Sequence, residues 1–261
     1  TTKRWSEYEK MKLRLKAYSG ISLTDVTVNG AGAAGIYVGG AKNFTLNRVA
    51  VLNTRADAVH ITEGSSYGTI IDSSTDRSGD DGFAIVSYTD NVQPVSNITI
   101  TRSKVTNQTW GRGFSVVGGT NIVFQDISSD RTSSAAIYIS AEGNWNTLPV
   151  SNVTVNGANL NRSNQNINVD HGAVVLYNGQ TGAVNRNITL RNINITNTRE
   201  DASRHVSILN SNTGRQEQIT LDNIHINGSP STAFTTNAPK STYRLTNFYY
   251  NSTALPNSMG W

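Results

Sequence analysis

Three aspartates, Asp57, Asp80 and Asp81, stand out in a chain of 261 residues of which only 15% are charged. Two of them form the turn Gly79-Asp80-Asp81-Gly82, and the third lies upstream in Asp57-Ala58-Val59-His60. Carboxyl groups held close together are costly to ionise at once, so one keeps its proton to higher pH than the others. A protonated acid beside an ionised base suits glycoside hydrolysis, in which one group protonates the leaving oxygen while the other activates water on the opposite face of the sugar. The same trio is also compatible with an acidic Ca2+ site or with Asp side chains that cap turns.

Whether the acids meet depends on the elements that carry them. Two short patterns alternate along the chain. One is Asn/Gly-x-Thr-apolar, as in Asn43-Phe44-Thr45-Leu46, Asn97-Ile98-Thr99-Ile100 and Asn152-Val153-Thr154-Val155. The other is a small residue followed by apolar-x-apolar, as in Ile36-Tyr37-Val38, Val59-His60-Ile61, Phe83-Ala84-Ile85, Phe114-Ser115-Val116 and Ile137-Tyr138-Ile139. Its apolar members recur at steps of 23, 24, 31 and 23. Apolar side chains at i and i+2 face one side of a strand. A repeat in the twenties with two or more strands per unit marks a solenoid, whose stacked coils share a core that no single coil could bury. Helical periodicity is absent almost everywhere. The expected fold class is therefore all-β, a right-handed parallel β-helix of seven or eight coils with loops of unequal size on one side.

The ends of such a stack need covering. Ser6 and Glu9 resemble a capping box, which predicts a short N-terminal capping helix over residues 6–11. A single domain is expected over 1–261, with the cap and first strand over 1–19, coils over 20–228, and a C-terminal cap over 229–261 where the repeat is lost.

Aligning the second pattern stacks Ala34, Asp57, Asp81, Arg112 and Ala135 in one column, with Ala33, Ala56, Asp80, Gly111 and Ser134 beside it. Parallel neighbours lie about 4.8 Å apart, so the three acids should share one surface, with Arg112 one coil further on. His60 faces outward three residues after Asp57, either as an orienter of that carboxylate or as a lone surface histidine. Trp110, Tyr138, Trp145 and Tyr88 fall on loops or outward positions near these coils, where aromatic faces suit sugar rings or cover the core edge. Glu142 and Asp170 fall outside the column.

Composition narrows the chemistry further. The chain has no cysteine, which excludes thiol catalysis, thiolate zinc sites and a disulfide framework. Its net charge is +4, but residues 1–20 hold six basic and two acidic residues, leaving 16 of the 22 basic and 16 of the 18 acidic residues elsewhere. The excess belongs to the N-terminal segment, so no nucleic-acid partner is expected. No apolar run approaches the length of a membrane-spanning helix, and no membrane partner is expected. Asn-x-Ser/Thr triplets at Asn43, Asn97, Asn107, Asn152, Asn187 and Asn194 sit at repeat positions. They read as turn residues that tolerate the left-handed conformation rather than as glycosylation sites.

The segments Asp57-Ala58-Val59-His60-Ile61, Gly79-Asp80-Asp81-Gly82-Phe83 and Gly111-Arg112-Gly113-Phe114 together resemble the active-site coils of β-helical glycoside hydrolases. In family 28, the polygalacturonases, the boxes run Asn-Thr-Asp-Gly, Gly-Asp-Asp-Cys, Gly-His-Gly and Arg-Ile-Lys. Asp57, Asp80 and Asp81 match the three acids, but Arg112 stands where the His would be. Tyr138 and Ser140 stand where the Arg and Lys that hold a uronate carboxylate would be. The Gly-Asp-Asp-Gly turn, its separation from Asp57 and the Gly-Arg-Gly coil are more similar to family 87, the bacterial α-1,3-glucanases and mycodextranases. The resemblance covers residues 53–119 with specific motifs.

It implies an inverting glycosidase for an α-linked neutral glucan, foremost one with α-1,3 bonds. Asp80 would be the general acid, and Asp57 and Asp81 would hold and deprotonate the attacking water, with acid and base about 6.5–9.5 Å apart. Arg112 would keep that pair ionised or contact a sugar hydroxyl. His60, Arg112, Trp110, Tyr138 and Trp145 are the expected substrate-binding residues. No organic cofactor and no catalytic metal is implied, and structural Ca2+ is not indicated. The expected partner is a polysaccharide, met outside the cell by a monomer. No signal peptide is visible, and only about two coils precede Asp57, as in a mature or trimmed catalytic core. The alternatives are a polygalacturonase- or dextranase-like hydrolase on the same scaffold and, from another class, a non-catalytic carbohydrate-binding or scaffold β-helix.

Overall fold

The structure, a computed structural model, describes residues 10–16, 18–228 and 232–261. Each apolar-x-apolar segment forms a short strand, and nine of these stack in chain order as one parallel sheet. Its strands include Ile36–Gly39, Val59–Thr62, Phe83–Val86, Phe114–Val117 and Ile137–Ala141. The register aligns Ile36, Val59, Phe83, Phe114 and Ile137, and one pleat on, Val38, Ile61, Ile85, Val116 and Ile139. All ten are fully buried, and the Phe83 and Phe114 rings stack at 5.3 Å. At about 1.5–3 kcal/mol per buried side chain of this size, these columns drive the coils together. The small residue before each strand has a steric cause. A Cβ on Gly82 would lie 2.6 Å from Val105 Cγ2 and 2.8 Å from the Gly113 carbonyl oxygen.

The remaining faces of the coils form a second sheet. In early coils it is split into two strands, such as Lys42–Asn47 and Ala50–Thr54; later these merge into long bent strands such as Gly119–Asp130 and Val150–Asn161. The Asn-x-Thr pattern marks a corner. Asn43, Asn97, Asn121, Asn152 and Asn187 all have φ between 52° and 57°, where asparagine is tolerated better than other side chains. Their amides bond from coil to coil, Asn121 to Asn97 at 3.3 Å, Asn152 to Asn121 at 3.0 Å and Asn187 to Asn152 at 2.7 Å. Asn107 also occupies a left-handed corner. Asn194 lies within the strand Val184–Thr196 and donates to Asn159 at 3.0 Å.

Two expectations about extent need adjusting. Among the described residues the stack has nine rungs rather than seven or eight. The repeat does not end at residue 229, because Thr232–Thr236 and Tyr243–Tyr250 pair in parallel with the coil before them. Those segments lose the Asn-x-Thr signature but keep inward Tyr243, Leu245 and Phe248. The edge is covered by the last residues, where Thr253–Ala254 and Ser258–Met259 turn back antiparallel. The helix expected over 6–11 lies outside the described residues except for Lys10 and Met11.

Long connections occur at both ends of the nine-stranded sheet rather than on one side, over 87–95 and 142–149 after its strands and over 107–113 and 162–173 before them. They rise around the outward face, so the strands Val59–Thr62, Phe83–Val86, Phe114–Val117 and Ile137–Ala141 are buried at every residue. That face is the floor of a cleft.

Candidate active site

Asp57, Asp81 and Arg112 each sit two residues before a floor strand, on three successive coils, and the parallel register brings them together. Asp57 is 4% exposed, Asp80 6% and Asp81 3%. One carboxylate oxygen of each lies within 4.8 Å of the others. Asp57 accepts the backbone N–H of Asp81 on Oδ1 at 2.9 Å, and its Oδ2 is 2.6 Å from His60 Nδ1. Asp81 accepts the N–H of Arg112 on Oδ1 at 2.7 Å and the Ser115 hydroxyl on Oδ2 at 2.5 Å. Both oxygens of both residues are therefore committed to donors. Asp80 is given room by Gly111, whose φ is +75° and where a Cβ would lie 2.4 Å from Asp80 Oδ1.

Burial pushes the Asp81 carboxyl up to about 6; Arg112 opposes that shift, while the neighbouring Asp57 adds to it. Burial acts to lower Arg112, but Asp81 and Glu142 more than offset it and raise the guanidinium above its ordinary value. Arg112 Nε is 3.1 Å from Asp81 Oδ1, Nη2 is 3.6 Å from Glu142 Oε1, and the guanidinium lies 4.5 Å from the centre of the Tyr138 ring. On the far side of the acids His60 stacks on Tyr37 at 5.6 Å. The Arg112 guanidinium and the His60 imidazole thus each rest on a tyrosine of a flanking coil.

The acids open into a pocket of about 250 Å3 that also takes in His60, Tyr88, Trp110, Arg112, Glu142 and Trp145. Trp110 and Trp145 are 46% and 55% exposed and come from loops at opposite ends of their strands, so they flank the opening. Tyr138 differs from the sequence expectation. It is buried beneath Arg112 and stacks on His171 at 5.7 Å, so it supports the cation and does not line the pocket. Asp170 lies outside the pocket, bonded to Ser203 and Arg204.

Sequence reasoning missed two residues. Glu142 enters the pocket because its loop folds back, with Thr147 bridging to Tyr88. Gln108 is buried and donates to the carbonyl oxygens of both Asp80 and Arg112, pinning the two turns to one another. No motif announces either.

The family model of glycosyl hydrolases family 28 matches residues 4–244. The chain belongs to that family. No curated protein sequence matches it. Among solved structures, this family 28 chain is similar to the catalytic domain of a family 87 α-1,3-glucanase in complex with nigerose, with a TM-score of 0.73 and 22% identity over 89% of this chain and 46% of that one. The catalytic unit of a thermostable family 87 α-1,3-glucanase from Streptomyces thermodiastaticus strain HF3-3 gives a TM-score of 0.70 at 18% identity, covering 98% and 54%. A family 28 exopolygalacturonase from Yersinia enterocolitica gives 0.53 at 10%, covering 87% and 45%. At these identities the likeness is one of fold, and the chain spans about half the length of the structures it matches.

Two features of the family 28 acid trio bear on its chemistry. With every oxygen of Asp57 and Asp81 already accepting from, or paired with, a protein donor, these two acids keep only their remaining lone pairs, and the trio alone supplies fewer than the six to eight oxygen ligands that Ca2+ takes. The nearest oxygens of the three acids are also closer, at 4.8 Å or less, than the separation expected between acid and base. That separation, about 6.5–9.5 Å, refers to whole carboxyl groups.

Proposed function

We propose that this chain hydrolyses an α-linked neutral glucan, foremost one with α-1,3 bonds, by single displacement of the glycosidic oxygen by water. The observation that carries the reading is the convergence of Asp57, Asp80 and Asp81 on one pocket beside Arg112 and two exposed tryptophans. Asp80 protonates the leaving oxygen. Asp57 and Asp81, each fixed through both oxygens, hold a water with their remaining lone pairs and take its proton. A carboxylate tied to two donors is poorly placed to attack the sugar itself, which favours inversion.

Substrate class is argued from charge. Four carboxylates and one guanidinium line the pocket, and that guanidinium already faces Asp81 and Glu142. A polyuronate would meet net negative charge there. Further support comes from spacing. Family 87 catalytic domains with bound nigerose or tetrasaccharides include variants in which one of three aspartates is replaced by alanine, and their numbering sets those aspartates 23 and 1 residues apart. Asp57, Asp80 and Asp81 have the same spacing.

The test is reducing-sugar release from α-1,3-glucan, dextran and polygalacturonate, with Asp80→Asn as control and the anomer of the first product read by NMR. Hydrolysis of a glucan with inversion supports the reading. Equal signals from wild type and Asp80→Asn on every polymer would place the chain among non-catalytic binding modules, and a retained anomer would reject the water mechanism.

A further inference from the structure

Arg112 is the pocket's guanidinium, and a guanidinium is the natural partner of a sugar carboxylate because its planar fork matches two oxygens. Here that guanidinium is already flanked by two carboxylates as ion pairs. Asp81 lies against Nε, and Glu142 lies against Nη2 on the side of the pocket wall. Glu142 is held there from three directions. Its Oε1 accepts the Tyr138 hydroxyl at 2.9 Å, and its backbone N–H donates to Thr147 Oγ1 at 2.7 Å. Its loop is pinned to the neighbouring loop by bonds from Leu148 N–H to the Ser87 carbonyl and from Thr89 N–H to the Asn146 carbonyl, both 2.8 Å. The carboxylate is thus built into the wall and does not swing freely. Its Oε2 makes no hydrogen bond among the described residues.

We propose that Glu142 is a specificity-determining residue that sets the substrate class of this site. It occupies the Arg112 guanidinium, turns away a sugar carboxylate by like charge, and offers Oε2 to a sugar hydroxyl. The assignment deepens the neutral-glucan reading and rests on it. Tyr138 acts through Glu142 and Arg112, as a positioning residue under both.

The test is titration calorimetry with trigalacturonate at low ionic strength, using wild type, Glu142→Gln, Glu142→Ala and, as a control for net charge, Glu217→Gln on the exposed second sheet. Both Glu142 variants should bind trigalacturonate at least about tenfold more tightly than wild type, since a like charge close to a ligand charge costs this much or more. The gain should shrink with salt, and Glu217→Gln should match wild type. On a neutral glucan, Glu142→Gln should raise KM several-fold with little change in kcat. Trigalacturonate affinity within twofold of wild type in folded Glu142 variants would overturn the assignment, as would an equal gain from Glu217→Gln. The two readings separate cleanly. Wild type that cleaves no neutral glucan yet rejects trigalacturonate ends only the functional reading, whereas wild type that binds trigalacturonate as tightly as Glu142→Gln ends the Glu142 assignment.

Discussion

Asp57 reaches across one coil to accept the backbone N–H of Asp81 at 2.9 Å, so one carboxylate sets the turn that carries the next. The link separates chemistry from support. Asp57→Asn keeps an oxygen for that N–H and should fold, while kcat on the glucan falls by at least about a hundredfold through loss of the base. Asp57→Ala leaves the buried N–H unpaired and should lose about 1–3 kcal/mol of stability relative to Asp57→Asn. Urea denaturation of the two variants checks the difference. Equal stabilities would mean the bond does not hold the turn.

Asp80 is assigned a different role, and leaving-group chemistry tells the roles apart. Asp80→Asn should lose about 10²–10⁴ in rate on a polymeric glucan. Most of that loss should vanish on an α-glucosyl fluoride, whose leaving group needs no proton. Asp57→Asn and Asp81→Asn should stay slow on both substrates. Rescue of Asp81→Asn in place of Asp80→Asn would exchange the two roles.

Asp81 and His171 should tilt stability in opposite directions with pH. Burial raises Asp81 from 3.8 to about 6, so between those values the folded chain holds a proton the unfolded chain has released, and stability falls as pH rises. Burial, then Arg112 and Arg204, lowers His171 from 6.5 to about 4, so over that window the unfolded chain binds the extra proton and stability rises with pH. Relative to wild type, Asp81→Asn should gain up to about 3 kcal/mol between pH 4 and pH 6.5, whereas His171→Phe should gain a similar amount as pH falls over the same range. Urea midpoints across pH read both slopes. If Asp81 must be ionised to accept the water's proton, kcat/KM also declines below about pH 6.

How far the sequence disclosed the site follows from what set each position. Asp57, Asp80 and Asp81 could be placed because the floor strands carry an unbroken apolar-x-apolar register, and residues two and three places before each strand inherit it. Glu142 could not, because its place depends on a loop that leaves the register and is held by backbone bonds to another loop. Tyr138 was placed on the right face, but its partners decided its role, since Arg112 and His171 cover the ring that might otherwise meet a sugar. The last coil was missed because Tyr243–Tyr250 keeps its inward apolar side chains while dropping the Asn-x-Thr corner that advertised earlier coils.

The corners make a prediction independent of activity. Asn121 is exposed, sits at φ 57°, donates to Asn97 at 3.3 Å and accepts from Asn152 at 3.0 Å. An exposed substitution ordinarily changes stability by no more than about 0.5 kcal/mol. Here two costs can be resolved. Asn121→Gly removes both side-chain bonds but adopts the left-handed backbone freely, so it should lose only the ladder, about 1 kcal/mol or less for such solvent-exposed bonds. Asn121→Val loses the same bonds and adds about 1–2 kcal/mol for placing a Cβ in the left-handed region, more because the side chain is β-branched. Denaturant midpoints should therefore fall in the order wild type, Asn121→Gly, Asn121→Val, with the larger gap at the second step. A larger gap at the first step would show that the stacked amides, not the backbone conformation, are what asparagine supplies at this corner.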